Sequence, residues 1–380
     1  MAMVIDLDHA ATTPVRPEVV EAMLPYYQQY YGNPSSLHQI GRQARSMMDR
    51  ARDLVATSLH AHPSEIIFTS GGTEADNLAI VGTAMALREQ GRHIITTQIE
   101  HPAVLEAAHF LEEWGFEVTF LPVDQYGRVT IADLKAALRP DTTLISVMFG
   151  NNEVGTLQPI QAIGELAAEQ GVAFHVDAVQ GYPYYPIDVE ELHADLLTIS
   201  SHKINGPKGA GALYVRRTHP LYARQLGGKQ ERERRAGTEN VGAIAGFAKA
   251  VELLLTEREE RFQKVIQLRK VFLEGLLKIK PVPLLNGHEE ETLPHIINVS
   301  FPGIQNEMML MNLDLAGVAA SAGSACSAGS IEVSHVLQAM GLDQQRMENA
   351  IRFSLGYELQ VEELQQALLE ITKIVQRLQA

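Results

Sequence analysis

The sequence predicts an α/β fold, in which a large domain with a mostly parallel sheet covered on both faces by helices is followed by a smaller α+β domain. Two observations carry this expectation. Between residues 65 and 215, short β-rich runs alternate with stretches of helical period, the rhythm of strands buried on both faces and joined by crossover helices. After Pro281 that rhythm stops, and strands separated by glycine- and serine-rich loop sequence lead to a closing helix. Length agrees, since 380 residues with 46% hydrophobic content can bury a sizeable core and suit two or three domains.

In chain order, the first run, Ile66-Ile67-Phe68, leads into the turn Ser70-Gly71-Gly72-Thr73 and a helix. His93-Ile94-Ile95-Thr96 is followed by Glu100-His101-Pro102 and then by Val104, Ala107, Ala108, Leu111 and Trp114 at helical spacing, which places the single Trp in the core. Val118 to Leu121, Leu144 to Val147, Val172 to Val176 and Leu196 to Ile199 complete the strands of the large domain. A helix-rich connector from Val241 to Lys280 leaves it. A strand at Ile296 to Ser300, another near Arg352 to Ser354 and a helix from Val361 to Leu378 build the smaller unit. The expected division is residues 14–255 for the large domain, with residues 1–13 and 256–380 forming the small one.

Charge and composition exclude several classes. The net charge of −15, from 31 basic and 46 acidic residues, argues against a protein whose whole surface binds nucleic acid. The basic stretch from Lys229 to Arg235 reads as a solvated loop, Thr256 to Arg261 as an exposed helix face, and Tyr182-Pro183-Tyr184-Tyr185-Pro186 as a packed surface segment. No apolar run approaches the ~20 residues of a membrane span, and Asp6 interrupts the N-terminus too early for a signal peptide, so the cytoplasm is the expected location. One cysteine, Cys326, can form neither an internal disulfide nor a CxxC metal clip.

Chemistry concentrates where strands end, because open α/β sheets bind ligands outside the carboxyl ends of their strands. Asp177 closes one strand and Lys203 follows the next, in Ser200-Ser201-His202-Lys203. That pair suits pyridoxal phosphate (PLP): the amine can form a Schiff base with the cofactor aldehyde while the carboxylate keeps the pyridine nitrogen protonated. An isolated thiol in Ser321-Ala322-Gly323-Ser324-Ala325-Cys326 adds sulfur chemistry, and its small neighbours predict an exposed, mobile loop. The Gly71-Gly72-Thr73 turn offers free N–H groups and a hydroxyl to a phosphate. His101 could stack on a ring and exchange protons, and Asn152 and Gln180 could hydrogen-bond cofactor or substrate.

Taken in order, Asp8-His9-Ala10-Ala11-Thr12-Thr13-Pro14, Gly32-Asn33-Pro34-Ser35-Ser36-Leu37-His38, Gly71 to Asn77, Glu100-His101-Pro102, Asn151-Asn152-Glu153-Val154-Gly155, Asp177 to Gln180, Ser200 to Lys203, Arg235 to Asn240, Gly323 to Cys326 and Arg352 to Gly356 resemble the NifS/IscS-type cysteine desulfurases. The resemblance spans nearly the whole chain. It implies PLP fold type I, the aspartate-aminotransferase-like architecture, in a homodimer. Lys203 would hold PLP, Asp177 its pyridine nitrogen and Gln180 its ring hydroxyl, with His101 stacked as proton shuttle. Gly72, Thr73, Ser200 and His202 would hold the phosphate, helped by Thr238 of the other subunit. Asn33, Asn152 and Arg352 would face the L-cysteine substrate, and Cys326 would accept its sulfur as a persulfide.

The same resemblance implies transfer of that sulfur to an acceptor protein, either an iron–sulfur scaffold or a tRNA-thiolation enzyme, with no resident metal, although Cys326 could touch a cluster in passing. Ser201, Asn205 and Ala322 depart from the family pattern without removing a catalytic group. The chain also stops at Gln376 to Ala380, where IscS-type proteins continue into a scaffold-docking tail, which leaves the acceptor open. Competing readings are another PLP activity on this fold, aminotransfer or selenocysteine lysis, and a catalytically silent sulfur-transfer adaptor.

Overall fold

In the computed structural model, which describes residues 4–323 and 333–379, the apolar runs become strands. These are β1 (Ile5–Asp6), β2 (Ile66–Thr69), β3 (His93–Thr97), β4 (Glu117–Leu121), β5 (Thr142–Met148), β6 (Ala173–Asp177), β7 (Leu196–Ser200), β8 (Gly211–Val215), β9 (Leu284–Asn286), β10 (Ile296–Ser300), β11 (Val318–Ala319) and β12 (Ala350–Ser354). Seven of them form one sheet in the order β2-β8-β7-β6-β5-β3-β4. Pairing is parallel from β7 to β4, whereas β8 runs antiparallel to both its neighbours. Those two reversals cancel. The carboxyl ends of β2, β3, β5, β6 and β7 therefore share one edge of the sheet.

Every residue of β2, β3, β5, β6, β7 and β8 is buried, as a sheet sandwiched between helices requires. The helix Gln39–Ser58 and the first half of Val241–Leu276 cover one face; Gly72–Leu87 and Pro102–Glu113 cover the other. Each fully buried aliphatic side chain in these layers stabilises the fold by roughly 1.5–3 kcal/mol.

The expected helix-rich connector is one helix of 36 residues, Val241–Leu276. Its start (Val241, Phe247, Leu254) packs in the core of the large sheet, and its end (Val265, Leu268, Phe272) packs in a second core with Ile297, Phe353 and Ile371. That second core lies beneath a three-stranded antiparallel sheet, β12-β10-β9, and the closing helix Val361–Gln379. β1 pairs in parallel with β11, Ile5 opposite Val318, and Asp8 bridges to Ser354. Residues near the start are thereby stitched to the last third of the chain.

Four local expectations are corrected. Trp114 is 59% exposed, because the helix stops at Glu113 and Trp114 leaves the buried stripe as the chain turns into Gly115. Arg261 is buried, its guanidinium 4.3 Å from the centre of the Tyr357 ring, so the charge run from Thr256 is not wholly solvated. Within the basic stretch, Glu231 is buried and grips Arg52 through two 2.7 Å contacts. Tyr182 is fully buried and its hydroxyl lies 2.6 Å from that of Ser58, so the tyrosine-rich segment reaches into the core. Among the described residues, no helix is long and apolar enough to cross a membrane.

Candidate active site

The shared edge of the sheet opens into a cavity of about 290 Å³. Its lining includes Gly72, Thr73, His101, Asn152, Asp177, Gln180, Ser200, His202, Lys203 and Arg352, so ten of the residues singled out in the sequence converge on one space. Asn33 and Thr238 are exposed and stand outside it in the single chain. Cys326 lies outside the described residues. Gly323, the last residue described before it, lines the cavity, and an added Cβ there would meet Glu153 Oε2 at 2.6 Å.

Asp177 sits at the end of β6, where its carboxylate accepts the backbone N–H of Val179 at 3.0 Å. Burial pushes its pKa up, and the nearby Lys203 ammonium and the Val179 N–H pull against that. After β7 the chain makes a single tight turn, Ser201–Lys203, which swings the lysine back over the sheet edge. Lys203 Nζ donates to the carbonyl of Ala10 and, at 2.8 Å, to that of Ala11. Gln180 Nε2 donates to the same Ala10 carbonyl at 3.0 Å.

His101 caps the helix Pro102–Glu113, its Nδ1 accepting the N–H of Ala103 at 3.1 Å. Burial lowers its pKa, with Lys203 adding to the effect and Asp177 opposing it. The neutral ring thus carries its proton on Nε2. His202 is held neutral more firmly, its pKa pushed down to about 4 by burial and by the neighbouring Lys203.

The anion cup forms where β2 turns into the helix Gly72–Leu87. A Cβ at Gly72 would come within 3.0 Å of Val179 Cγ2, a tight contact that glycine avoids where the helix start lies against the segment after β6. Ser200 Oγ, buried at the end of β7, has no partner among the described residues. A second cavity opens outward from this cup and is lined by Gly71, Gly72, Thr73, Ser200, His202 and Lys208. Helix N–H groups, an unpartnered hydroxyl and a nearby lysine suit a phosphate. The adjoining carboxylate and amine suit a pyridine aldehyde, so the residues present fit PLP.

Three buried groups went unnoticed in the sequence. Asp76 lies one turn beyond Thr73, and its Oδ1 has no hydrogen-bond partner among the described residues. Burial, then the nearby Asp177, raises its pKa well above the ordinary value. Glu100 accepts from Thr97 Oγ1 (2.7 Å) and the Met148 N–H (3.1 Å), and burial pushes its pKa up to about 8. His295 hydrogen-bonds Gln180 at 3.1 Å. The i, i+3 spacing of Thr73 and Asp76 could have revealed the first; nothing in the sequence signals the last.

Compared with known proteins, the chain matches the family model Aminotransferase class-V over residues 5–367. The chain belongs to the class-V aminotransferase family. It is 50% identical over 372 residues to a protein of Methanosarcina thermophila named cysteine desulfurase IscS, covering 98% of this chain and 92% of that one. A protein of the same name from Dictyoglomus turgidum is 48% identical over 372 residues, covering 98% and 94%. Among solved structures, a NifS-like protein superposes with a TM-score of 0.93 at 37% identity, covering 99% of this chain and 100% of that one. Another, described as SspA in complex with cysteine, has a TM-score of 0.82 at 36% identity, covering 93% and 99%. The family and these structures share the PLP fold type I architecture, and PLP is the cofactor of this chain.

Proposed function

We propose that the chain is a cysteine desulfurase, which converts L-cysteine to L-alanine and leaves the sulfur on Cys326 as a persulfide. The observation that carries the reading is the convergence of Asp177, Lys203 and Arg352 on one cavity whose lining includes Gly323, three residues before Cys326 in the sequence. The stoichiometry balances: the substrate's Cβ–S bond breaks, its sulfur joins the Cys326 sulfur as an S–SH group, and the thiol proton of Cys326 goes to the carbon that becomes the methyl group of alanine.

When bound, PLP supplies an electron sink for the charge left at the substrate Cα. Asp177 would face the ring nitrogen, where its carboxylate favours the protonated form. Gly72, Thr73, Ser200 and His202 would hold the phosphate, joined by Thr238 of a second copy in a homodimer. Lys203 would hold the cofactor and would serve as the proton carrier at the substrate Cα. His101, neutral with its proton on Nε2, is set to give that proton to an atom in the cavity.

Arg352, with Asn152, would bind the substrate carboxylate, for which a planar guanidinium is suited, and Asn33 would face the substrate. In this reading residues 14–255 form the cofactor-holding domain, and residues 1–13 and 256–380 carry Arg352 and Cys326. The acceptor is a protein of iron–sulfur assembly or tRNA thiolation, met in the cytoplasm.

The test is product analysis. Incubated with PLP and L-cysteine, the enzyme should release L-alanine and gain about 32 Da, one sulfur atom, on Cys326. Cys326→Ser should bind PLP yet gain no sulfur. An oxo acid in place of alanine would point to aminotransfer instead, and no spectral response to cysteine would favour a silent adaptor.

A further inference from the structure

Gln180 is held from two sides by groups of opposite character. One side of its amide faces the carbonyl oxygen of Ala10 at 3.0 Å, and the other faces Nε2 of His295 at 3.1 Å. A carbonyl can only accept, so the Ala10 side must be the NH2 group. The amide oxygen is therefore the atom that meets His295, and the imidazole must carry its proton on Nε2.

The surroundings of His295 agree with that single-proton form. The ring is buried, and Nδ1 has no partner among the described residues. Burial, together with the positive charges of Lys203, His9, Arg269 and Arg352, holds the pKa well below the ordinary value, so no second proton is added near neutrality. The Tyr184 ring lies against the imidazole, centroids 4.7 Å apart and planes 31° from parallel, which fixes its orientation. This also gives part of the tyrosine-rich segment a role beyond packing.

We propose that His295 is a positioning residue: its Nε2–H holds the oxygen of the Gln180 amide, so that the second amide proton of Gln180 is the one offered to an acceptor in the cavity. The acceptor has the chemistry of an ionised phenolic oxygen on the cofactor ring, and the inference rests on the role assigned to Gln180 above. Without His295 the Ala10 carbonyl alone would hold the amide, and a turn would present its oxygen to that anion, replacing attraction with repulsion. His295 immediately precedes β10, so a residue outside the large sheet sets the orientation of an amide at its edge.

The experiment compares the holoenzyme of Gln180→Leu, His295→Phe, His295→Gln and the Gln180→Leu/His295→Phe pair at one fixed pH. It records the absorption of the lysine-bound cofactor, cofactor retention on dialysis, and circular dichroism as a check of folding. Gln180→Leu and His295→Phe should each move intensity from the longer-wavelength to the shorter-wavelength band, since the donor favouring the ionised ring oxygen is lost. Each should also weaken retention about tenfold, as expected for one buried hydrogen bond. The double variant should shift no further. His295→Gln, whose amide N–H can reach the place of Nε2–H, should keep the wild-type spectrum. If His295→Phe does not fold, His295→Asn, which is too short to place a donor there, takes its part.

A wild-type spectrum in His295→Phe beside a shifted one in Gln180→Leu overturns the role of His295 alone. So does an equal shift in His295→Gln, which would mean that the imidazole acts through volume. An unchanged spectrum in Gln180→Leu removes Gln180 from the cofactor, and the positioning role with it.

Discussion

Arg352 and Asp8 meet across 344 positions of sequence, with Nη2 of the guanidinium 2.8 Å from the carboxylate Oδ1. Nη1 donates to the Asn152 carbonyl at 2.9 Å, and Nε has no partner among the described residues. The guanidinium is thus oriented before any substrate arrives, by a partner that also competes for its charge.

That competition predicts opposite effects from two substitutions. Asp8→Asn keeps an oxygen to orient Arg352 but removes the competing charge, so the KM for L-cysteine should fall about threefold, the scale of a partly exposed ion pair. Arg352→Lys loses the planar pair of donors, and KM should rise at least about tenfold with a smaller change in kcat. Steady-state kinetics reads both; a raised KM in Asp8→Asn would show that the carboxylate's charge helps binding.

Asp177→Asn should retain PLP, because the anion cup and Lys203 are untouched, yet lose roughly a thousandfold or more in kcat, because a neutral amide does not favour the protonated ring nitrogen. Alanine production by the purified, cofactor-loaded variant decides the matter. Near-wild-type turnover would remove Asp177 from the chemistry.

Lys203→Ala should abolish turnover and leave the cofactor dialysable, since the proposed covalent anchor and proton carrier are both gone. Absorbance after exhaustive dialysis and alanine assay are the two measurements. Retained activity would mean that another group holds the cofactor.

Glu100 predicts a pH dependence of stability. Its pKa is raised from 4.5 to about 8, so between those values the folded protein keeps a proton that the unfolded chain has released. Stability contributed at low pH is then lost as pH rises towards 8, by up to ~1.4 kcal/mol per pH unit. Glu100→Gln should flatten that slope and gain on the wild type at pH 8. Denaturant titrations of both proteins from pH 5 to 9 should show the curves diverging, and parallel curves would refute a protonated Glu100.

How much was legible in the sequence follows from the range of the interactions. The strands of the large sheet were visible because burial on both faces leaves uninterrupted apolar runs, and Asp177, Ser200 and Lys203 stood out at their ends. Trp114 was misplaced because helical spacing continues on paper past the residue where the helix stops. Arg261 and Glu231 looked solvated, since a charge run does not display the Tyr357 ring or the Arg52 side chain folded against it. His295 gave no signal because its partner Gln180 is 115 positions away. Thr238 and Asn33, expected at the site, are exposed in one chain, and the proposed second copy is what would bring Thr238 to the phosphate.

The stitching of β1 to β11, and of Asp8 to Ser354, also makes the segment that follows β1 a strap joining the two cores. On one side the Ala10 N–H donates to Ser354 Oγ at 2.8 Å, and on the other the Thr13 N–H donates to the His202 carbonyl at 3.0 Å. The Ala10 carbonyl that Lys203 and Gln180 share lies between those two anchors. A slip of one core against the other is therefore passed straight to the Lys203 amine.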